Sequence, residues 1–302
     1  SLFVVLFAFL TILIISAGVK DGIEKWATRL MPSLVLILVL LIGYVLTLPG
    51  AMGGLRAYLV PDFSALTQPG LLVSAMGQAF FSLSLGVGTM LVYGSYISKD
   101  ENLPVIGSLV ALLDVGIAVL AGLLILPAMY VALASGVEIF DASGGLIAGP
   151  GLIISVLPSL FANMGAIGGA VAFAFFALMT IASLTSSISM LEVPVSFVVE
   201  RQGLKRPMAA AILGSIIAAV SLIIVANFGI LFDRVVTLTT EVSQPLLGLF
   251  FCVFAGWIWN RATILEEIKQ GAPQAADGFF WRIWPFYIRF ICPVAILVVY
   301  FQ

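Results

Sequence analysis

Long apolar stretches follow one another through this chain, and short polar segments separate them. A transmembrane helix needs about 20 consecutive apolar residues, and with 62% hydrophobic and 9% charged residues the chain can supply several. The composition predicts an all-α polytopic membrane protein, one transmembrane domain over residues 1–302. We predict eight membrane segments, at residues 1–17, 26–49, 70–97, 104–132, 165–199, 207–227, 235–260 and 283–302.

Basic residues in the loops predict the orientation. Arg56 and Arg234 fall on one side of the predicted membrane. The other side carries Lys20, Lys25, Arg29, Lys99, Arg201, Lys205, Arg206, Arg261, Lys269 and Arg282. This richer side is cytoplasmic, because cytoplasmic loops carry the excess of Lys and Arg. Residues 133–164 contain neither residue and are predicted to be an extracellular cap loop or hairpin, with an amphipathic hairpin of no special role as the alternative.

The composition also excludes several classes of function. The chain has no histidine, and its two cysteines, Cys252 and Cys292, are far apart in sequence, so cysteine–histidine metal sites and histidine-dependent triads are excluded. The net charge of -2 argues against a nucleic-acid partner. Since the chain starts and stops within apolar stretches, we expect it to be a fragment of a longer protein.

The third predicted span is interrupted at mid-depth. Residues 77–88 read GQAFFSLSLGVG, which places an amide, two hydroxyls and two helix-breaking glycines inside an apolar stretch. Lipid cannot hydrogen-bond a freed backbone, so a membrane helix breaks only where protein or a water-filled site satisfies its groups. Secondary transporters hold substrate and coupling ions at such breaks. The alternative is a kink that allows close helix packing.

The fifth predicted span carries five hydroxyl residues between positions 183 and 189. Residues three and four apart share a helix face, so Ala182, Thr185 and Ser186 form one small polar patch. Hydroxyl and carbonyl oxygens suit a hard cation such as sodium. Hydrogen bonding between helices, worth about 0.6–2 kcal/mol per contact, is the alternative.

Asp114 lies near the middle of the fourth predicted span. An ionisable group at that depth is expensive to insert and is expected to face the protein interior, where it pairs with a cation or carries a proton. A protonated or hydrogen-bonded structural acid is the alternative. We favour a functional role, since intramembrane acids are functional by default.

Three motifs resemble the bacterial branch of the neurotransmitter:sodium symporter family. They are residues 77–86 with Gly88, residues 183–187, and the pair Gly22 and Pro32 at the start of the second span. The resemblance places the first predicted span at the family's fourth helix and the last at its eleventh, so the first three helices are expected to be missing. It implies part of an inverted repeat of five plus five helices, with the third helix of this chain unwound.

The resemblance also implies ligands for each site. Ser82 and Asp114 would belong to the first sodium site, and Ala182, Thr185 and Ser186 to the second. Asp114 would supply the negative charge that chloride brings in other members, so no chloride is expected. The residues expected to line the substrate pocket are Phe81, Ser82, Ser84, Val87, Ser186, Ser187 and Met190.

Gating residues follow from the same resemblance. Tyr96, Glu192 and Glu200 resemble a cytoplasmic gate. Gly22 and Pro32 resemble the pair that lets the family's fifth helix unwind towards the cytoplasm and release sodium.

Two positions depart from the family pattern. Val236 stands where an aspartate of the outer gate is usual, and Asp233 lies one turn earlier. Val87 stands where an aromatic residue is common, which would widen the pocket.

The function implied is sodium-coupled symport of an amino acid across the plasma membrane by alternating access, without catalytic residues. The expected partners are the amino acid, the bilayer and the missing N-terminal helices of the same protein. A proton-coupled amino-acid transporter of a related fold is one alternative, with Asp114 as the proton carrier. The other is a non-transporting membrane receptor or scaffold.

Overall fold

The computed structural model describes residues 2–61, 63, 69–141, 144–147 and 149–300. Within these residues the secondary structure is helical, apart from an isolated antiparallel bridge between Phe140 and Leu146. The helices are α1 (Leu2–Ser16), α2 (Lys25–Val45), α3 (Ala51–Leu59), α4 (Pro69–Ser82), α5 (Thr89–Ser95), α6 (Leu103–Ala134), α7 (Gly149–Asn163), α8 (Gly168–Gln202), α9 (Arg206–Ala226), α10 (Phe228–Val236), α11 (Gln244–Val253), α12 (Arg261–Gly271), α13 (Phe279–Phe286) and α14 (Cys292–Tyr300).

Short π-helical segments join or precede several of these helices. They are Val19–Glu24 before α2, Leu152–Val156 within α7, Thr237–Ser243 between α10 and α11, Phe254–Ile258 after α11, and Tyr287–Ile291 between α13 and α14. A π-helical turn inserts an extra residue into a helix and is frequent at functional sites. Sequence periodicity did not predict these segments, because one inserted residue changes the helical spacing only locally.

The structure confirms that most of the predicted membrane segments are long apolar helices. Six helical stretches of the described residues are long and apolar enough to cross a membrane: Asp21–Val45, Leu103–Ala134, Gly165–Gln202, Arg206–Ala226, Phe228–Ile258 and Phe279–Val298. The first predicted span is the 15-residue helix α1. The third is divided into α4 and α5, as its interruption predicts. The chain is therefore an all-α polytopic membrane protein.

The chain forms two compact units. The first unit comprises residues 1–23, 63–114 and 187–302, and the second comprises residues 24–62 and 115–186. In the first unit α1 packs along α9, where the Ile12 side chain fits against Gly214. Helix α11 packs on α14 and on α4, where the Phe80 ring lies over Gly248.

The second unit has a continuous hydrophobic core. Helix α2 contributes one buried face to it, with Leu34, Leu38, Leu41 and Val45 at helical spacing. Parts of α6, α7 and α8 complete the core, with the buried residues Ala128, Met129, Ala132, Leu157, Leu160, Phe161, Phe175 and Leu178.

The predicted cap loop over residues 133–164 contains the helix α7, which has 15 residues and is too short to span. Its residues 142, 143 and 148 lie outside the described residues. Leu157, Leu160 and Phe161 of α7 belong to the core of the second unit. The position of this loop above a transport pathway stays a prediction.

Candidate functional site

The interrupted helix is the centre of the candidate site. Helix α4 ends at Ser82 and α5 begins at Thr89, and turns occupy the residues between them. Gly86 and Gly88 have φ values of 84° and 88°. Ser84, with a φ of 52°, is the single non-glycine with positive φ among the described residues. A strained backbone of this kind persists where its surroundings hold it and is frequent at ligand sites.

Gly86 is required here for a second reason. A Cβ atom at this position would lie 2.1 Å from the backbone carbonyl oxygen of Gln244, the first residue of α11. The break is thereby fixed against the start of α11. Two buried side-chain oxygens near it, Thr89 Oγ1 and Gln244 Oε1, have no hydrogen-bond partner among the described residues. Sequence reasoning missed Gln244, although an amide directly before Pro245 in an apolar span is unusual.

Ser82 and Asp114 meet at the end of α4. The Ser82 hydroxyl donates to Asp114 Oδ1 at 2.7 Å, across 32 residues of sequence. Asp114 is half-buried and comes from α6, while Ser82 is exposed. The two residues expected in the first sodium site are thus in direct contact, and their oxygens are the ligands that a hard cation prefers.

Two of the three ligands expected for the second sodium site are adjacent on α8. The buried Thr185 hydroxyl lies 3.0 Å from the carbonyl oxygen of Ala182 and 3.1 Å from that of Ile181, and donates to both. Ser186, the next residue, is exposed. A hydroxyl that bonds to the preceding turn places two oxygens side by side on one helix face.

Six of the seven residues expected in the substrate pocket fall into two groups, and the seventh is Ser186, the exposed residue of α8. Phe81, Ser82, Ser84 and Val87 lie at the break itself. Ser187 and Met190 of α8 instead line a cavity of about 230 Å³ with residues of α1 and α9, among them Thr11, Gly214 and Ser221.

A buried polar cluster lies further along α5 and α8. The Tyr96 hydroxyl donates to Glu192 Oε1 at 2.6 Å, and Arg206 forms an ion pair with the other carboxylate oxygen, Oε2. Arg206 Nε also donates to the carbonyl oxygen of Ile15 at 3.0 Å. Glu192 is fully buried, and a buried carboxylate is costly without a partner charge. Arg206 supplies that charge. The cluster ties α5, α8 and α9 to the end of α1.

The cluster contains part of the expected cytoplasmic gate. Tyr96 and Glu192, two of the three residues expected in the gate, are in contact, whereas Glu200 is exposed and takes no part in these contacts. The gate itself stays a prediction. Sequence analysis missed Arg206 as the partner of Glu192, because it assigned Arg206 to a cytoplasmic loop. Arg206 lies 14 residues after Glu192, at the start of the next helix. This spacing could have indicated that Arg206 pairs with Glu192.

Gly22 lies in the π-helical segment Val19–Glu24, and Pro32 lies inside α2. A Cβ atom on Gly22 would lie 2.0 Å from the carbonyl oxygen of Ile14, so the segment packs directly on the end of α1. The chain is helical through Pro32, and the expected unwinding of this segment stays a prediction. Val236 ends α10, and the neighbouring Asp233 is exposed.

Comparison with known proteins decides the family. The sodium:neurotransmitter symporter family model matches residues 1–302. The chain belongs to the sodium:neurotransmitter symporter family. This family is one of symporters rather than enzymes, and the resemblance that the three motifs predicted is confirmed.

Relatives within the symporter family extend the comparison. The sodium-dependent transporter YhdH of Bacillus subtilis (strain 168) is 33% identical over 309 residues, which cover 97% of this chain. A sodium-dependent transporter of Haemophilus influenzae is 32% identical over 309 residues, covering 99% of this chain. This chain spans 64% of the length of each of these two relatives.

A solved structure confirms the symporter fold. The crystal structure of MhsT in complex with L-phenylalanine superposes with a TM-score of 0.83 and 39% sequence identity. The match covers 98% of this chain and 66% of MhsT.

The ion pair in the buried cluster makes the stability of the protein sensitive to removal of one partner. Arg206→Met leaves the buried Glu192 carboxylate without compensation, and we expect it to lower the free energy of unfolding by about 3–5 kcal/mol. The measurement is equilibrium unfolding of the purified full-length protein in detergent micelles.

Arg201→Met is the matched control, since Arg201 is exposed and a change there is expected to stay within about 0.5 kcal/mol. The double variant with Glu192→Met should recover most of the loss, because both charges are then gone. Equal stability of Arg206→Met and the wild type would contradict the role assigned to this ion pair.

Proposed function

We propose that the full-length protein is a sodium-coupled amino-acid symporter of the plasma membrane that works by alternating access. The observation that carries this proposal is the hydrogen bond between Ser82 and Asp114 at the helix break. Freed backbone groups, a hydroxyl and a carboxylate meet there inside an apolar span, which is the environment in which secondary transporters bind coupling ions.

The first sodium ion would bind between the Ser82 hydroxyl oxygen and the Asp114 carboxylate. Both oxygens already lie within 2.7 Å of each other, so little rearrangement of the two side chains is needed to share a cation. A cation at this position neutralises a carboxylate that is otherwise costly in a low-dielectric environment. Sodium binding is thereby coupled to the conformation of the break.

The second sodium ion would use oxygens of α8. The carbonyl oxygen of Ala182 and the hydroxyl of Thr185 are 3.0 Å apart, and Ser186 offers a further hydroxyl on the next position. These are neutral oxygen ligands, which suit a weakly bound ion that must be released in each cycle.

The amino acid would bind along the break. The turns between Ser82 and Thr89 leave backbone N–H and C=O groups outside the helical pattern, and such groups recognise the carboxylate and ammonium of an amino acid. Phe81 and Val87 supply apolar contacts from either end of the turn. The complex of MhsT with L-phenylalanine supports an amino acid as the substrate class.

The Tyr96–Glu192–Arg206 cluster would act in the cytoplasmic gate. Its hydrogen bonds hold the cytoplasmic part of α5 against α8 and α9, and opening towards the cytoplasm would require Tyr96 to leave Glu192. Arg206 would stay paired with the Glu192 carboxylate when Tyr96 leaves. The cluster could then open without leaving a buried charge unpaired. Unwinding between Gly22 and Pro32 would accompany release of sodium.

The sodium assignment on α8 is tested by removing two hydroxyls. In proteoliposomes of the full-length protein, Thr185→Val with Ser186→Ala should abolish sodium-dependent uptake of radiolabelled amino acids, L-phenylalanine among them, because two ligands are lost. Ser183→Ala is the matched control on the same helix, since Ser183 is an exposed hydroxyl residue that is not among the expected sodium ligands. Unchanged sodium dependence in the double variant would refute the assignment.

The charge of Asp114 is tested through chloride. We propose that transport by the wild type is independent of chloride, because Asp114 supplies the negative charge beside the first sodium ion. Asp114→Ser removes that charge, and uptake should then rise with chloride concentration. Transport that is retained by this variant without any chloride effect would contradict the idea.

The same uptake assay separates the alternatives. Uptake that follows a proton gradient and ignores sodium would favour a proton-coupled transporter with Asp114 as the proton carrier. Amino-acid binding without flux would favour a receptor.

A further inference from the structure

Arg289 lies inside an apolar span and plays no part in the proposed transport site. The span Phe279–Val298 is 20 residues long, and Arg289 falls in its middle part. Ionisable residues in such spans face the bundle interior, pair with another group or reach for the membrane interface, and they mark functional sites by default.

The backbone around Arg289 is closely fitted to a second span. Its Nε donates to the carbonyl oxygen of Gly256 at 2.8 Å, and its own carbonyl accepts from Trp257 Nε1 at 3.2 Å. Gly256 belongs to the π-helical segment Phe254–Ile258, and Arg289 to the segment Tyr287–Ile291. The guanidinium carbon lies 5.2 Å from the centre of the Trp257 ring, a cation–π distance. The guanidinium is therefore held in one place.

The charge of Arg289 has no counter-charge among the described residues. The ion pair found among these residues joins Arg206 to Glu192. The guanidinium of Arg289 contacts the carbonyl oxygen of Gly256 and the Trp257 ring. With Nε engaged, the terminal Nη1 and Nη2 nitrogens still present four N–H donors. A planar fork of this kind matches the oxygens of a phosphate group.

The contact with Gly256 sets the depth of the guanidinium. Gly256 lies two residues before Ile258, the end of the span Phe228–Ile258 on the side that the basic residues predict to be cytoplasmic. Asn260 then caps the polar helix α12 with a hydrogen bond to the backbone of Ala262. Arg289 therefore lies beside the last turn of that span, and its long side chain is within reach of the predicted cytoplasmic interface. Lipid phosphates lie at this interface, and anionic lipids give the leaflet a negative potential.

The surface around the guanidinium is apolar and exposed. Trp257 is 59% exposed and Ile258 69%, and from the other span Phe286 is 58% and Phe290 47% exposed. Tryptophan at this level is typical of the membrane interface. A guanidinium surrounded by exposed apolar side chains can bind a molecule that has an anionic headgroup and hydrocarbon chains.

We propose that Arg289, positioned by Gly256 and Trp257, binds the phosphate headgroup of an anionic glycerophospholipid of the inner leaflet. The lipid would supply the negative charge that the described part of the chain does not offer to Arg289. Its acyl chains would lie on the exposed apolar residues of the two spans.

Native mass spectrometry of the full-length protein tests this site. Phosphatidylglycerol and phosphatidylcholine with identical acyl chains are titrated separately, and the apparent Kd of the first bound lipid is compared. The wild type should bind phosphatidylglycerol about tenfold more tightly, as expected for charge-assisted hydrogen bonds. Arg289→Gln should abolish this preference. Arg282→Gln, on the same span, is the matched control and should keep it.

Two more conservative variants keep the test valid if Arg289→Gln does not fold. Arg289→Lys keeps the charge but loses the planar fork, and Trp257→Leu removes the stacked ring, so each should reduce the preference. Equal affinity of the wild type for both lipids would overturn the proposal. So would an unchanged preference in all Arg289 and Trp257 variants, or an equal loss in Arg282→Gln.

Discussion

A backbone inside hydrocarbon must find its hydrogen-bond partners within the protein, because lipid offers none. The interruption between α4 and α5 is tolerated only because other elements cover it. Gly86 lies directly on the carbonyl of Gln244, and the end of α4 is joined to α6 through Ser82 and Asp114. The break leaves backbone groups outside the helical pattern, and in the proposed transport cycle these groups bind ions and substrate.

The intramembrane charges obey the same constraint in three different ways. Asp114 accepts a hydrogen bond from the neutral Ser82 hydroxyl, and no cationic side chain among the described residues forms an ion pair with it. Glu192 is fully buried and is compensated by Arg206. Arg289 is held by a backbone carbonyl and an aromatic ring, which fix its position without neutralising it. The degree of compensation thus distinguishes the paired Glu192 from Asp114 and Arg289, for which we propose an outside ion and a lipid headgroup.

The proposed transport cycle connects these local arrangements. Sodium at Asp114 would stabilise one arrangement of the break, and the cluster around Glu192 would hold the cytoplasmic part of α5 in place. Since Ser82 ends α4 and Tyr96 follows α5, the two pieces of one interrupted helix would carry both the proposed ion site and the proposed gate. In this cycle the two halves would move as short rigid pieces and so transmit ion binding to the gate.

Much of the fold was accessible from the sequence. Span length, the interruption at residues 77–88 and the patch around Thr185 depend on residues close together in the chain, and local rules govern them. The family motifs and the acid at Asp114 are local in the same way.

Only the tertiary structure decided which side chains meet. Ser82 contacts Asp114 across 32 residues, and Arg206 contacts Ile15 across 191. When a helix is apolar on all sides, its sequence does not indicate which of its faces packs against which neighbouring helix. Sequence analysis therefore placed Arg206 in a loop and did not pair it with Glu192. The roles expected of Glu200, Ser187 and Met190 stay predictions. The sequence alone determined where the helix must break, and helix packing determined what covers the break.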